Sequence, residues 1–284
     1  METQPPTTRA AGLSKRRLWW RLFLYPVLFF VAVVITLMWL EESLIFFPSP
    51  YPEGDWEPWG LVLEDAHFQA ADGTKLHGWY VPHDKPRAVV LFCHGNAGNI
   101  THRAGMLESM HDRVGASVMI FDYRGYGRSE GKPKEKGVLA DARAARAWLA
   151  EREGIDEREI VVMGRSLGGA VAVDLAAADG ARALVLEGTF TSIPDMAAHI
   201  YPWLPVRPLI RNRFDSLTKI RRYRGPLLQS HGDTDTIVPI ASGRKLFDAA
   251  NEPKEFVTLR GVDHNDWLPE SYYDRLREFF DALP

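Results

Sequence analysis

The sequence predicts an α/β protein, a mostly parallel sheet covered by helices on both faces and preceded by a membrane-spanning helix. Three observations predict it. From about residue 88 onward, near-continuous apolar runs alternate with amphipathic stretches, the pattern of buried parallel strands and their crossover helices. The run Ile160-Val161-Val162-Met163 stops at Gly164, and Ser166, Gly168 and Gly169 then open a small-residue segment through Ala178. That is a strand, a sharp turn and a helix. Finally, Leu22 to Leu40 is a charge-free apolar run of nineteen residues.

Composition bounds the rest. A chain of 284 residues, 46% hydrophobic and 25% charged, is enough for one large α/β domain and an appendage. A net charge of -3 gives no general affinity for nucleic acid. One cysteine, Cys93, excludes an internal disulfide and a multi-cysteine metal site. No metal-ligand spacing and no cofactor signal is present, so neither is expected.

Taken in order, the chain opens with a basic tail (1–21) carrying Arg9, Lys15, Arg16, Arg17 and Arg21. The apolar run that follows (22–40) spans roughly 28 Å as a helix, at about 1.5 Å per residue, close to the hydrocarbon thickness of a bilayer. Trp19, Trp20 and Trp39 sit at its ends, and Glu41 and Glu42 come after it. This charge asymmetry predicts a cytoplasmic N-terminus and a globular domain across the membrane, periplasmic in a bacterium. A cleaved signal peptide would have a shorter apolar region and a small-residue exit, whereas this run leaves through Met38-Trp39-Leu40. Arg16-Arg17 followed by Leu18 matches a twin-arginine signal poorly. A buried core helix would show a polar face, and this run shows none. A single uncleaved anchor is therefore the expectation.

A Pro-punctuated connector (41–62) leads into the globular domain (63–284). Ala66–Ala70 and Leu76–Val81 read as strands joined at Asp72-Gly73. Strands Ala88–Cys93 and Ser117–Asp122 follow, then Glu159–Met163, Ala183–Glu187, Pro226–Ser230 and Glu255–Arg260. Helices are expected at Ile100–Arg113, Glu135–Glu151, Ala241–Ala250 and Trp267–Ala282. No strand is legible between Thr189 and Tyr223. An aromatic, proline-bearing excursion there, centred on Tyr201, Trp203 and Leu204, is expected to form a small lid over a substrate site.

The turn at residues 164–168 has the Gly-x-Ser-x-Gly spacing of a nucleophile elbow, in which glycines let strand and helix approach a strained serine. A serine nucleophile needs a base, a carboxylate to orient that base, and donors for the oxyanion. In parallel sheets such groups stand on loops leaving the carboxyl ends of strands. His264, after the last strand, is the candidate base. The preceding strand ends in His231-Gly232-Asp233-Thr234-Asp235, and spacing alone leaves Asp233 and Asp235 both open. The loop His94-Gly95-Asn96 after an earlier strand suits backbone donation, with the Asn96 and Leu167 amides forming the oxyanion hole.

Ser166, an acidic His-Gly loop, His264, the early His-Gly loop and the Gly-x-Ser-x-Gly elbow together resemble the α/β-hydrolase superfamily. They are most similar to its membrane-anchored, serine-aminopeptidase-like branch. Leu44-Ile45-Phe46-Phe47-Pro48, the loop Asp122–Gly131 and the segment Tyr201–Ser216 share that resemblance. It implies an eight-stranded sheet with the elbow after the fifth strand, and a His-Gly-x-x-Asp pattern that selects Asp235. It also implies a serine hydrolase acting on ester or thioester bonds, with peptidase or amidase chemistry as the rival and a non-catalytic binding module as a remoter one. The anchor and aromatic lid point to acylated or lipid-like substrates, small or carried on a protein. Two decoys are set aside. Gly125-x-Gly127 with Gly131 is one residue off a dinucleotide fingerprint and precedes Pro133. Cys93, inside an apolar strand, reads as buried rather than nucleophilic.

Overall fold

The computed structural model describes residues 10–284, with side chains from Trp20 onward. The start of the basic tail, with Arg9, lies outside the described residues, as do the side chains of Lys15, Arg16, Arg17 and Trp19. The chain divides into two units, residues 1–44 and 45–284. The first contains helix α1 (Ala10–Ile45), which continues beyond both ends of the apolar run. Its portion Trp20–Ile45 holds an 18-residue window of mean hydropathy 2.5 and is long and apolar enough to cross a bilayer.

In the second unit, the main sheet has eight strands: β2 (Glu64–Gln69), β3 (Lys75–Val81), β4 (Ala88–Cys93), β6 (Ala116–Phe121), β7 (Val161–Arg165), β8 (Leu184–Glu187), β9 (Leu227–Gly232) and β10 (Lys254–Leu259). Their order is β10-β9-β8-β7-β4-β6-β3-β2, parallel except for the opening hairpin β2–β3. A short pair, β1 (Phe47–Pro48) with β5 (Ala97–Gly98), lies apart from it. The described helices of this unit are α2 (Ala104–Ser109), α3 (Glu135–Glu153), α4 (Leu167–Asp179), α5 (Ile193–Ile200), α6 (Ser216–Lys219), α7 (Ile240–Ala249) and α8 (Glu270–Asp281).

Because side chains alternate across a strand, each central strand feeds two cores. Leu91, Cys93, Val162 and Leu186 pack with Val138, Leu149, Val171 and Leu175 of α3 and α4. Val90, Phe92, Met163 and Val185 pack on the other face with Leu107, Leu276 and Phe280 of α2 and α8. Parallel strands buried on both faces account for their nearly unbroken apolar sequences.

Two expected helices differ. The stretch read as one helix, Ile100–Arg113, is a 3₁₀ turn (Ile100–Arg103), then α2, then a π turn ending at the left-handed Gly115. The cause is Asn99, whose side chain accepts the Thr101 N–H while its own N–H donates to the His102 ring, closing a tight capped turn. The last helix starts at Glu270, three residues later than expected, because Pro269 is extended and disfavours helical backbone at Leu268.

The contact between β7, α4 and β4 leaves no room for side chains. A Cβ at Gly164 would lie 2.1 Å from the Gly168 carbonyl oxygen, and one at Gly168 would lie 1.9 Å from the Cys93 carbonyl oxygen. All of these obstacles are backbone, so nothing can swing aside. Gly164→Ala and Gly168→Ala are each expected to cost about 3 kcal/mol or more by overpacking, read as a lowered urea midpoint. Gly73→Ala, where nothing stands within 4 Å, is the control for a merely strained turn.

Candidate active site

The tight turn after β7 holds Ser166 at φ 54° and ψ −120°, one of two described non-glycine residues with positive φ. Its N–H donates to Glu187 O at 2.9 Å and its carbonyl accepts the Thr189 hydroxyl at 2.8 Å, so the strained residue is fastened to the end of β8. Leu167 begins α4, so its N–H is one of the amides that have no intrahelical partner.

His264 and Asp235 reach the same point from the loops after β10 and β9. Ser166 Oγ stands 3.1 Å from His264 Nε2, and His264 Nδ1 stands 2.7 Å from Asp235 Oδ2. Since an ionised carboxylate only accepts, the ring proton lies on Nδ1. Nε2 then offers its lone pair to the serine hydroxyl, which donates to it. Asp235 Oδ1 accepts the N–H groups of Ile237 (3.0 Å) and Val238 (2.7 Å). Burial works against the charge on Asp235, but hydrogen bonds from His231, His264 and the Val238 N–H outweigh it and hold the carboxyl far below its ordinary range. Asp233 goes elsewhere and accepts the Gly261 N–H at 2.6 Å. Of the two acidic residues left open by spacing, Asp235 is the one in the cluster.

The His94–Asn96 loop lies against the elbow: a Cβ at Gly95 would be 3.7 Å from Ser166 Cβ. Two tyrosines that sequence reasoning passed over pin this loop. Tyr123 donates to His94 O at 2.8 Å, and Tyr126 to Asn96 O at 2.7 Å. Phe47 N–H also donates to Asn96 O, and the Asn96 side chain donates to Ile45 O. His94 is fully buried and donates from Nδ1 to Gly95 O. Burial, with Arg103 nearby, pushes its imidazole down to about 3, so it stays uncharged. It is a structural part of the loop rather than a second base.

Three further residues were not singled out by sequence. Arg165 donates to the carbonyls of His264 (2.5 Å) and Asp266 (3.3 Å), tying the β10 loop to the elbow strand. Gly188, at φ 51°, lies where a Cβ would come within 3.6 Å of both His264 Nδ1 and Asp235 Oδ2. His231 is buried beside Asp235. The available signals were the tyrosines in Asp122–Gly131, a charged residue inside the elbow and the histidine of the acidic loop; none is diagnostic until the loops are folded.

Tyr201 and Trp203 are exposed, whereas Leu204 is buried in the fold. None of the three enters the hydrogen-bonded cluster around Ser166. Clefts of about 400 and 600 Å³, lined by residues such as Arg87, Arg158, Arg113 and Arg277, include none of Ser166, Asp235 and His264. The site is therefore located by its side chains rather than by cavity size. Cys93 is buried, and burial pushes its thiol far above its ordinary range, so it is not a nucleophile. Gly127 makes the turn around Asp122, where a Cβ would come within 2.0 Å of the carboxylate, and so serves the chain rather than a phosphate. Asn99, in a glycosylation sequon, is buried with its amide donating to Ser49 O and Glu53 O. Among the described residues, no cluster of histidine, cysteine and carboxylate side chains is arranged to hold a metal.

Comparison with known proteins identifies the family and the fold. Residues 84–219 match the family model described as serine aminopeptidase, S33. An uncharacterised protein of Mycobacterium tuberculosis is 42% identical over 248 residues, covering 85% of this chain and 88% of that protein. The α/β-hydrolase domain-containing protein WAV2 of Arabidopsis thaliana is 35% identical over 265 residues, covering 84% and 86%. Among solved structures, the Pyrococcus furiosus esterase Pf2001 superposes with a TM-score of 0.68 at 21% identity, covering 83% of this chain and 99% of that one. With its elbow after the fifth strand of an eight-stranded sheet and relatives matched along most of its length, the chain belongs to the α/β-hydrolase superfamily.

Proposed function

We propose that the protein is a membrane-tethered serine hydrolase that cleaves carboxylic ester or thioester bonds through a Ser166–His264–Asp235 triad. The observation that carries this reading is the order of the hydrogen bonds, hydroxyl to imidazole to carboxylate, with the serine held in a strained elbow. Ser166 Oγ attacks the acyl carbonyl as His264 Nε2 takes its proton. The Asn96 and Leu167 amides receive the oxyanion, and such donors are worth on the order of 3 kcal/mol each. The imidazolium returns the proton to the leaving alcohol or thiol. Water, deprotonated by the same imidazole, then attacks the acyl-enzyme, and collapse of the second tetrahedral intermediate releases the acid and Ser166. Asp235 stabilises the imidazolium throughout without being protonated.

We further read α1 as an uncleaved anchor with the N-terminus cytoplasmic. The exposed Tyr201 and Trp203, with Ile200 beside them on the excursion after β8, support acyl-bearing or lipid-like substrates. A second reading, amide or peptide cleavage, has the description of the matched family model in its favour. Faster turnover of aminoacyl anilides than of p-nitrophenyl esters would reverse the order of the two.

A fluorophosphonate probe is expected to label the wild type and not Ser166→Ala; equal labelling would end the nucleophile assignment. Asp235→Asn is expected to lower kcat by about 10⁴-fold, because the neutral amide no longer stabilises the imidazolium and can donate to Nδ1, favouring the wrong ring tautomer, with a much smaller change in KM. Membrane fractions washed at high pH should retain the full-length chain. A shortened chain beginning past Ile45, released into the soluble fraction, would show that the apolar segment is a cleaved signal.

A further inference from the structure

The carboxylate that orients His264 is contacted by a second imidazole. His231, the penultimate residue of β9, is buried, with Nε2 2.8 Å from Val238 O and 3.3 Å from Asp235 Oδ2. Val238 O can only accept, so the ring proton is on Nε2, donated to that carbonyl with the carboxylate oxygen 3.3 Å from the same nitrogen. The other nitrogen, Nδ1, is buried without a hydrogen-bond partner and packs at Gly243, where a Cβ would come within 2.2 Å of it. A proton there would be a buried, unsatisfied donor, so the surroundings select the Nε2–H tautomer. The glycine at 243 is what lets the ring sit so close to α7.

From this geometry we infer that His231 is a positioning residue for the reaction, fixing Asp235 and limiting how strongly that carboxylate binds the proton of His264. The inference rests on the triad reading above. Asp235 Oδ2 receives His264 from one side and His231 from the other, while Oδ1 receives the Ile237 and Val238 amides. Four donors leave the carboxylate no freedom to rotate. They also spread its negative charge over several partners, so the imidazolium formed in the transition state is held without being over-stabilised in the resting enzyme. Removing the His231 donor concentrates charge on Oδ2. The imidazole of His264 then keeps a proton to higher pH, and the base needed for attack is lost sooner as pH falls.

The other charged groups facing this pair are fixed by their own contacts. Asp263 accepts the Thr236 and His264 N–H groups, Asp266 accepts the Asp263 N–H, and Arg165 holds the His264 carbonyl with buried Glu187 nearby. None of these contacts involves His231, so its replacement isolates the one donor.

The test is the second-order rate constant for fluorophosphonate labelling of the full-length protein, measured across the acid and neutral range. His231→Leu removes the donor at similar size, and His231→Asn places its amide where Nδ1 was, out of reach of Asp235. Both are expected to lower the plateau by roughly tenfold, as for loss of one hydrogen bond to a charged group. Both should also move the acidic limb upward by about half a pH unit or more. His231→Gln, whose amide reaches the Nε2 position, is expected to restore the limb to its wild-type place. If all three variants react more slowly with the limb unmoved, His231 is packing alone and the inference fails. An unlabelled wild type would instead overturn the triad reading, and this inference with it.

Discussion

The structure depends on how closely the chain passes itself between Gly164 and Gly168. Strand β7, helix α4 and the end of β4 approach until main-chain oxygens occupy the places of missing side chains. This approach keeps Ser166 in a backbone conformation that costs on the order of 1–3 kcal/mol if unsupported. The support is distributed: Glu187 O takes the Ser166 N–H, Thr189 takes its carbonyl, and the carbonyls of Cys93 and His94 press on Gly168. The elbow and the oxyanion loop therefore form one packed unit. A movement of either would shift Ser166 relative to the amides of Asn96 and Leu167, and placements of that kind are what reaction rates in tight sites are sensitive to.

Charge at the site follows from the same packing. Asp235 is ionised because donors converge on it from its own loop and from two imidazoles, despite its burial. His94, whose loop lies against the elbow but whose ring faces no carboxylate, is driven neutral by burial. His264 and His94 thus differ because one has an anion behind it and the other does not. Arg165 extends this logic to the backbone. Its guanidinium fixes the loop that carries the base, and burial pushes the neighbouring Glu187 carboxyl up while Arg165 draws it back.

Much of this was legible before folding, for physical reasons. Buried parallel strands need unbroken apolar runs, so β4, β6 and β7 stood out to within two residues. The elbow needs glycine on both sides of its serine, and that requirement is visible at residues 164 and 168. His264 and the acidic His-Gly loop were reached by asking which polar residues leave strand ends, and the structure brings them to Ser166. Asp233 and Asp235 could not be separated by spacing, because only the folded loop decides which one turns inward; resemblance supplied Asp235 and the hydrogen bonds place it in the cluster. The helix after Asn99 was misjudged because its shape depends on a side-chain cap and on Asp122 accepting the Ile100 N–H from twenty-two residues away. Tyr123, Tyr126, Arg165 and His231 were missed for a related reason. Each acts on a backbone or carboxylate oxygen distant in space or hidden by the turn, and no local pattern marks such a partner.

The division of labour along the chain bears on what can vary. Ser166, His264, Asp235 and the His94–Asn96 loop come from the ends of β7, β10, β9 and β4, and each is tied to its neighbours by hydrogen bonds. The excursion between β8 and β9 contributes none of those bonds to His264 or Asp235. It is anchored at its ends, by Thr189 on Ser166 and by Tyr223 on the carbonyls of Ala181 and Pro226, and by buried Leu204 and Phe214 within it. Its tip, with Ile200, Tyr201 and Trp203, stands exposed. Substitutions at that tip change its exposed apolar surface while leaving the bonds between Ser166, His264 and Asp235 untouched. The hydrogen-bonded cluster on fixed strand ends is thus mechanically separable from the surface of the excursion, so one can vary in sequence without disturbing the other.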